Sequence, residues 1–350
     1  MRSEIGTGDG SALGRPGAEP FPVQETGPGG GRAAVQSEAQ AARPGGCTLC
    51  PRACGADRAA GERGFCGMGE TPAIARVSFH MWEEPCISGT RGSGTVFFAG
   101  CPLGCIYCQN RSIVAGSVIP GGGSDLPLAK KVTDAEMADI FVRLERDGAH
   151  NINLVTATHF LPGVIRALRM AKARGLGIPV VYNTSGYECE ESLRALSGLV
   201  DIYLTDFRYM DPKTAAAYSR APDYPVAAKT ALSEMLRQTP LSFGPDGLMT
   251  SGTIVRILLL PGHVKEACSI VSYIHETYGD RLYLSLLRQY TPLPAVMSDP
   301  LLRRKVTKRE YDRLVQHALS LGVTKAFVQE GAAAEESFIP VFDGRGVEKT

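Results

Sequence analysis

A chain of 350 residues, 44% hydrophobic and 21% charged, can bury one large α/β core and still carry a small appendage. Its 37 basic and 36 acidic residues cancel to a formal charge of +1, which argues against broad attraction to nucleic acid or a membrane surface; local charges remain free to hold a small anionic cofactor. No apolar stretch approaches bilayer-spanning length and no apolar signal core follows Met1-Arg2-Ser3-Glu4-Ile5. The ten cysteines therefore read as metal ligands and reduced thiols of a cytoplasmic protein rather than as a disulfide framework.

Residues 1–46 are rich in Gly, Ala, Pro and Gln and nearly devoid of bulky apolar side chains after Phe21-Pro22-Val23, the composition of a mobile extension. Cysteine then appears abruptly. Cys47-x2-Cys50-x3-Cys54-x11-Cys66 supplies four soft ligands within a compact module, 47–70, whose glycines allow the small loops needed for convergence. Zinc would contribute folding free energy, and an auxiliary 4Fe-4S cluster would store or relay an electron; the residues leave both open. Arg52, Arg58 and Arg63 put positive charge around the module, but no aromatic-rich basic face accompanies them, which counts against nucleic-acid binding. A connector, 71–94, contains His80-Met81-Trp82-Glu83-Glu84, read as domain packing, and Cys86, whose role the sequence leaves ambiguous.

The main domain is expected over 95–330, with 331–350 as a C-terminal tail. It opens on the strand-like run Thr95-Val96-Phe97-Phe98, followed by Gly100-Cys101-Pro102-Leu103-Gly104-Cys105-Ile106-Tyr107-Cys108-Gln109-Asn110. Three thiolates on one short loop can hold three irons of a cubane and leave the fourth open, whereas a structural site normally has four protein ligands. A zinc site and a redox dithiol at Cys105-x2-Cys108 are the competing readings. Beyond the loop, helical patterns over 134–147, 161–173, 188–197, 223–238, 263–278 and 308–321 alternate with short apolar strands at 152–155, 178–182, 200–204, 253–260 and 282–286. Right-handed crossovers then give a parallel sheet of about six units, and periodicity alone leaves an open doubly wound sheet and a curved partial barrel equally available.

The Cys-x3-Cys-x2-Cys spacing with Tyr107 beside the last cysteine resembles the signature of the radical S-adenosylmethionine superfamily. Gly89 to Phe98, Cys108-Gln109-Asn110, Tyr203 to Tyr209, Val255 to His263 and Gln289-Tyr290-Thr291-Pro292 are similar to the uncharacterised iron-sulfur branch related to pyruvate formate-lyase activating enzymes. The resemblance implies a radical SAM partial (β/α)6 barrel with a small N-terminal cysteine-rich module. It implies a 4Fe-4S cluster on Cys101, Cys105 and Cys108 whose open iron binds S-adenosylmethionine, and reductive cleavage of that cofactor to a 5'-deoxyadenosyl radical that abstracts hydrogen from a substrate. One implied substrate is a glycine of a glycyl radical enzyme; direct modification of a peptide or small molecule is the alternative, and a non-catalytic zinc-stabilised interaction protein is the reading from a different class. A reducing donor such as flavodoxin or ferredoxin is the implied redox partner.

Ligands of parallel α/β sheets gather where strands end. Thr156 and Thr158 offer backbone and hydroxyl groups to the methionine part of the cofactor, at a place where relatives carry a glycine-rich stretch. Asn183 and Ser185 suit ribose hydroxyls or a carboxylate. Asp206 and Arg208 occupy one rim, as an acid followed two residues later by a base does in activating enzymes. Arg256, inside an apolar strand, needs an anionic partner, for which the methionine carboxylate and a structural ion pair compete. Catalytic candidates are His159 as a proton acceptor, Asp206, and Tyr290 as a relay, each set against ordinary packing.

Overall fold

The computed structural model describes residues 2–4, 46–114, 118, 129–329 and 342–347. In chain order it contains β1 (Arg2–Glu4), β2 (Ala73–His80), α1 (Pro85–Ser88), β3 (Ser93–Phe98), β4 (Lys130–Lys131), α2 (Asp134–Arg146), β5 (Ile152–Val155), α3 (Leu161–Ala173), β6 (Val180–Thr184) and α4 (Glu190–Arg194). There follow β7 (Ile202–Asp206), α5 (Pro212–Ser219), α6 (Tyr224–Gln238), β8 (Ser242–Phe243), β9 (Met249–Leu258), α7 (Val264–Tyr278), β10 (Tyr283–Leu287), α8 (Lys308–Ser320) and β11 (Ala326–Gln329). The sheet runs β1-β11-β10-β9-β7-β6-β5-β3-β2-β4 and does not close, with β8 attached to β9. β3, β5, β6, β7, β9, β10 and β11 form a continuous parallel run.

The two faces of this sheet are covered differently, and that difference identifies a partial barrel. Val96, Phe98, Ile152, Leu154, Val180, Tyr182 and Tyr203 pack outward against α2, α3, α4 and α6. Val255, Ile257, Leu284 and Leu286 do the same against α6, α7 and α8. The alternate residues Val181, Ile202, Leu204 and Ile254 face inward, where they meet Cys86 and Ile87 of α1. A doubly wound sheet would carry long helices on both faces. Here the inner face receives one short helix, delivered by the chain ahead of β3, with Asn151 donating from its side-chain amide to the Ile87 carbonyl at 2.8 Å.

Several expectations change at the edges. The parallel run has one strand more than the six-unit reading; β11, only four residues long, lacks the length to register as a period. The stretch over 71–94 is part of the sheet, since β2 pairs antiparallel with β3 from Ile74↔Phe98 to His80↔Ser93. Arg2–Glu4, expected within a mobile extension, pairs antiparallel with β11, while residues 5–45 lie outside the described residues. The expected tail contains an anchored segment: Phe342 is buried edge-on against Phe97 at 5.3 Å, and the Val77 N–H donates to the Arg345 carbonyl at 3.0 Å. Helix α5 was hidden by its polar start, where Asp211 caps the N–H groups of Lys213 and Thr214 at 3.1 Å each and Pro212 supplies the preset first turn.

Candidate active site at the carboxyl ends of the strands

β3 is buried along its whole length and delivers the chain to Gly100, whose φ is +84°. A Cβ there would stand 2.4 Å from the Met68 side chain and 2.8 Å from the Cys66 carbonyl, so only glycine fits. The cysteine loop then folds back on itself: the Leu103 N–H points to the Cys101 sulfur at 3.4 Å, and the Cys108 N–H donates to the Cys105 carbonyl at 3.1 Å. Tyr107 anchors it from below, its ring edge-on to Tyr218 and Tyr290 at 6.3 Å and its hydroxyl 2.6 Å from that of Tyr209. Burial pushes the Cys101 thiol up to about 11 and the Cys108 thiol up to about 12; neighbouring thiols add to the rise and the Arg208 guanidinium opposes it. Loading metal here therefore releases protons, and Arg208 matches part of the thiolate charge that results.

Arg208 connects the loop to a buried ring of polar groups. Its guanidinium, 6.0 Å from the Tyr107 ring, pairs with Asp206. Asp206 also accepts from Arg256 Nε at 2.8 Å, and Arg256 reaches Asn183 Oδ1 at 2.6 Å and Glu83 Oε2 at 3.4 Å. Glu83 Oε1 accepts in turn from Asn153 at 2.9 Å and Asn183 at 3.3 Å. Two acids and two bases are thus joined in one hydrogen-bonded network, and the buried carboxylate of Glu84 acts on Arg256 as well. Burial alone would raise Asp206, but Arg256 and Arg208 outweigh it and hold the carboxyl below its usual range. Two buried atoms of the ring have no hydrogen-bond partner, Arg208 Nε and Asn153 Oδ1. One orphaned donor and one orphaned acceptor facing a shared polar ring suit a ligand that carries both a carboxylate and hydroxyls.

Other named residues fall in different places. Ser185 is partly exposed beside the ring, and Thr156 takes a left-handed φ of 59° while its N–H donates to the Asn183 carbonyl at 2.9 Å. Thr158 faces away from the ring and donates its hydroxyl to Glu188 at 2.6 Å. His159 is a packing residue in this fold: it is buried, its Nε2–H donates to the Ala99 carbonyl at 2.7 Å, and burial pulls its pKa down to about 3, leaving it neutral. The Tyr290 hydroxyl is spent on the Leu302 carbonyl at 2.6 Å and its ring packs on Tyr107, the bland alternative set beside a relay. Glu83 and Asn153 were not among the candidate site residues. Glu83 sits in a segment without periodicity, but Asn151-Ile152-Asn153, alternating within a parallel strand, was a legible sign of a polar inner face.

Glu188 is a buried acid with no basic partner, held by the hydroxyls of Thr158 and Thr184. Burial raises its pKa to about 7. The folded state thus keeps a proton that the unfolded chain gives up, so the carboxyl's contribution to stability falls as pH rises from about 4.5 to about 7 and is flat above. Glu188→Gln, which cannot ionise, is expected to match the wild type near pH 5 and to exceed it by up to about 3 kcal/mol above pH 7. Urea denaturation at pH 5 and pH 8 checks this, and an unchanged gap between the two would show that Glu188 is ionised in the fold.

The amino-terminal cysteines converge as well. Cys50 and Cys66 are buried, Cys47 is partly covered and Cys54 is exposed. The position of a Gly64 Cβ lies 3.1 Å from the Cys54 sulfur and 3.5 Å from the Cys66 sulfur. Among the described residues no three His, Cys, Asp or Glu side chains have the spacing of a single-ion site. A cubane differs from such a site in placing each thiolate on its own iron.

The partial barrel thus brings the three-cysteine loop and the buried polar ring together at the carboxyl ends of its strands. Residues 95–232 match the family model of the Radical SAM superfamily. That match supports an enzyme of this superfamily and implies a 4Fe-4S cluster and S-adenosylmethionine as cofactors. The uncharacterized protein MJ0674 of Methanocaldococcus jannaschii is 27% identical over 277 residues, covering 78% of this chain and 74% of that one. Among solved structures, a domain of pyruvate-formate lyase-activating enzyme from Bacteroides vulgatus is similar at 12% identity and TM-score 0.34, covering 49% of this chain and 91% of that one. Streptococcus suis SuiB bound to S-adenosylmethionine is similar at 12% and TM-score 0.42, covering 66% of this chain and 48% of SuiB. HydG, a maturase of the [FeFe]-hydrogenase, is similar at 15% and 0.43, covering 65% of this chain; the match spans about half the length of SuiB and of HydG. Among the described residues no helix is long and apolar enough to cross a membrane.

Proposed function

We propose that this chain cleaves S-adenosylmethionine reductively and directs the resulting radical at a hydrogen atom of a separate substrate, a glycine of a glycyl radical enzyme being the favoured target. The supporting observation is the placement of Arg208 between the Cys101/Cys105/Cys108 loop and the Asp206/Arg256/Asn183/Glu83 ring. When bound, the cluster supplies an electron to the sulfonium and holds the methionine amino and carboxylate groups, as the family implies. The protein's own work is positioning. Arg208 balances thiolate charge and keeps Nε free for a ligand acceptor; Asp206 and Glu83 present carboxylate oxygens to ribose hydroxyls or to positive charge; Arg256 ties both acids to Asn183 so that the ring holds one shape. Thr156, Thr158, Asn183 and Ser185 complete the set assigned to the cofactor, with Thr158 acting through Glu188. A low-potential one-electron donor of the flavodoxin or ferredoxin type is the partner this chemistry requires.

Anaerobically reconstituted protein given dithionite and S-adenosylmethionine is expected to release 5'-deoxyadenosine, and the electron paramagnetic resonance (EPR) signal of the reduced cluster is expected to shift on cofactor addition. Absence of both results would remove the proposal. Incubation with candidate partner polypeptides separates target classes: a glycine-centred doublet identifies a glycyl radical enzyme, and a covalently changed peptide or small molecule without that doublet identifies direct modification.

A further inference from the structure

One side chain of the amino-terminal module makes the side-chain hydrogen bonds to the catalytic loop. Arg52 lies between Cys50 and Cys54, yet its guanidinium leaves the module. Its Nε donates to the Pro102 carbonyl at 3.0 Å and its Nη2 to the Leu103 carbonyl at 2.9 Å, both residues lying between Cys101 and Cys105. The same Nη2 donates to Ser219 at 2.6 Å, and Nη1 donates to Arg220, so the end of α5 is held in the same fork. All four acceptors are backbone carbonyls; among the described residues no carboxylate pairs with the guanidinium. The guanidinium stacks 4.0 Å from the ring of Phe65, the neighbour of Cys66, and Arg220 covers that ring at 5.0 Å. A second tie runs alongside, the Cys101 N–H donating to the Cys66 carbonyl at 3.3 Å. The loop carrying the first two ligands of the catalytic triad is therefore fastened to residues beside Cys50, Cys54 and Cys66.

We propose that the Cys47/Cys50/Cys54/Cys66 module, when loaded with a thiophilic metal centre, is a clamp that sets the geometry of the catalytic loop, with Arg52 as its positioning residue. Metal bound by the four thiolates fixes the small loop from Cys50 to Cys54, and that loop aims Arg52. A planar fork with donors in two directions can hold carbonyls of the triad loop and of α5 at once, which a lysine ammonium cannot reproduce. Arg52 touches neither the triad sulfurs nor the polar ring in any contact described, so its influence on the cluster passes through the Pro102 and Leu103 backbone.

The inference rests on the triad holding iron, and the experiment separates the two claims. Full-length wild type, Arg52→Gln, Arg52→Lys and Cys54→Ser are reconstituted anaerobically. Iron and zinc per chain, Mössbauer spectra, and EPR spectra with and without S-adenosylmethionine are recorded, with circular dichroism as the check on folding. Both Arg52 variants are expected to keep the amino-terminal metal and to lose triad iron affinity about 10–100-fold, the usual scale when a group that orients metal ligands is removed. Cys54→Ser is expected to lose the amino-terminal metal and to show the same triad defect; whether that metal is zinc or iron is read from the elemental ratio. Triad iron and a cofactor-induced EPR shift at wild-type level in the Arg52 variants would overturn the clamp, and so would a Cys54→Ser protein lacking amino-terminal metal with an intact triad. Should Arg52→Gln fail to fold, Arg52→Lys decides by the same readouts. A wild type that binds no triad iron would instead overturn the functional reading itself.

Discussion

Arg256→Leu is expected to destabilise the fold by about 3–5 kcal/mol at neutral pH, the scale for removing one side of a buried ion pair. Asp206 and Glu83, 14% and 10% exposed, both lean on this guanidinium, and its loss leaves Arg208 alone to balance two acids. The pH dependence gives the test its sign. In the wild type Asp206 titrates below its usual range, so the stability it contributes is present above the unfolded carboxyl pKa near 3.8 and is lost as pH falls through the lower folded value. Removing Arg256 raises the Asp206 carboxyl, so the variant's deficit shrinks as Asp206 takes up a proton. Urea midpoints at pH 5 and pH 8 are expected to show the wild type and variant closer together at pH 5. Arg256→Lys, which retains charge but not the fork to Asp206 and Asn183, is expected to fall between them. A variant as stable as wild type at pH 8 would mean that the ring is solvated and that Arg256 has no structural partner to lose.

Replacing Cys101, Cys105 or Cys108 with Ala is expected to abolish iron at the loop and cofactor cleavage, because a missing thiolate leaves a second iron without a protein ligand. The consequences for folding differ among the three. Cys105 is buried in the cluster with Leu103, Tyr107 and Tyr218, so its truncation adds a packing loss of about 1 kcal/mol, while Cys101 and Cys108 are partly exposed and cost less. Iron determination and 5'-deoxyadenosine analysis on preparations matched by thermal melt check both parts. Retention of cleavage in any of the three would exclude this loop as the cluster site.

The legible part of this molecule was the part governed by local pattern. The cysteine spacing marked the loop, and the alternation of apolar runs with helical periods gave α2, α3, α6, α7 and α8 within a few residues. The anionic partner that Arg256 was expected to need is Asp206 across the β7–β9 register, with Asn183 one strand away. What escaped was contact between segments distant in sequence. Glu83 enters the ring from 173 residues before Arg256, a pairing no periodicity can signal. Arg52 looked like surface charge because its acceptors are carbonyls, which carry no residue-type code. Phe342 supplied too short an apolar signal to reveal that the chain returns to β2. His159 and Tyr290 each spend one polar atom on a backbone carbonyl, the packing alternative set beside their chemical reading.

The placement of α1 against the inner sheet face has an optical corollary. The strand-to-helix passage from β2 into α1 turns Glu83 into the ring while its peptide neighbour Trp82 remains 61% exposed. Trp82 is the only tryptophan in the chain. The protein thus carries one indole, selectively excited apart from its tyrosines, a single peptide bond from an acid whose hydrogen bonds a ligand must join or replace, and its emission can follow occupancy of the ring without a label or an iron signal.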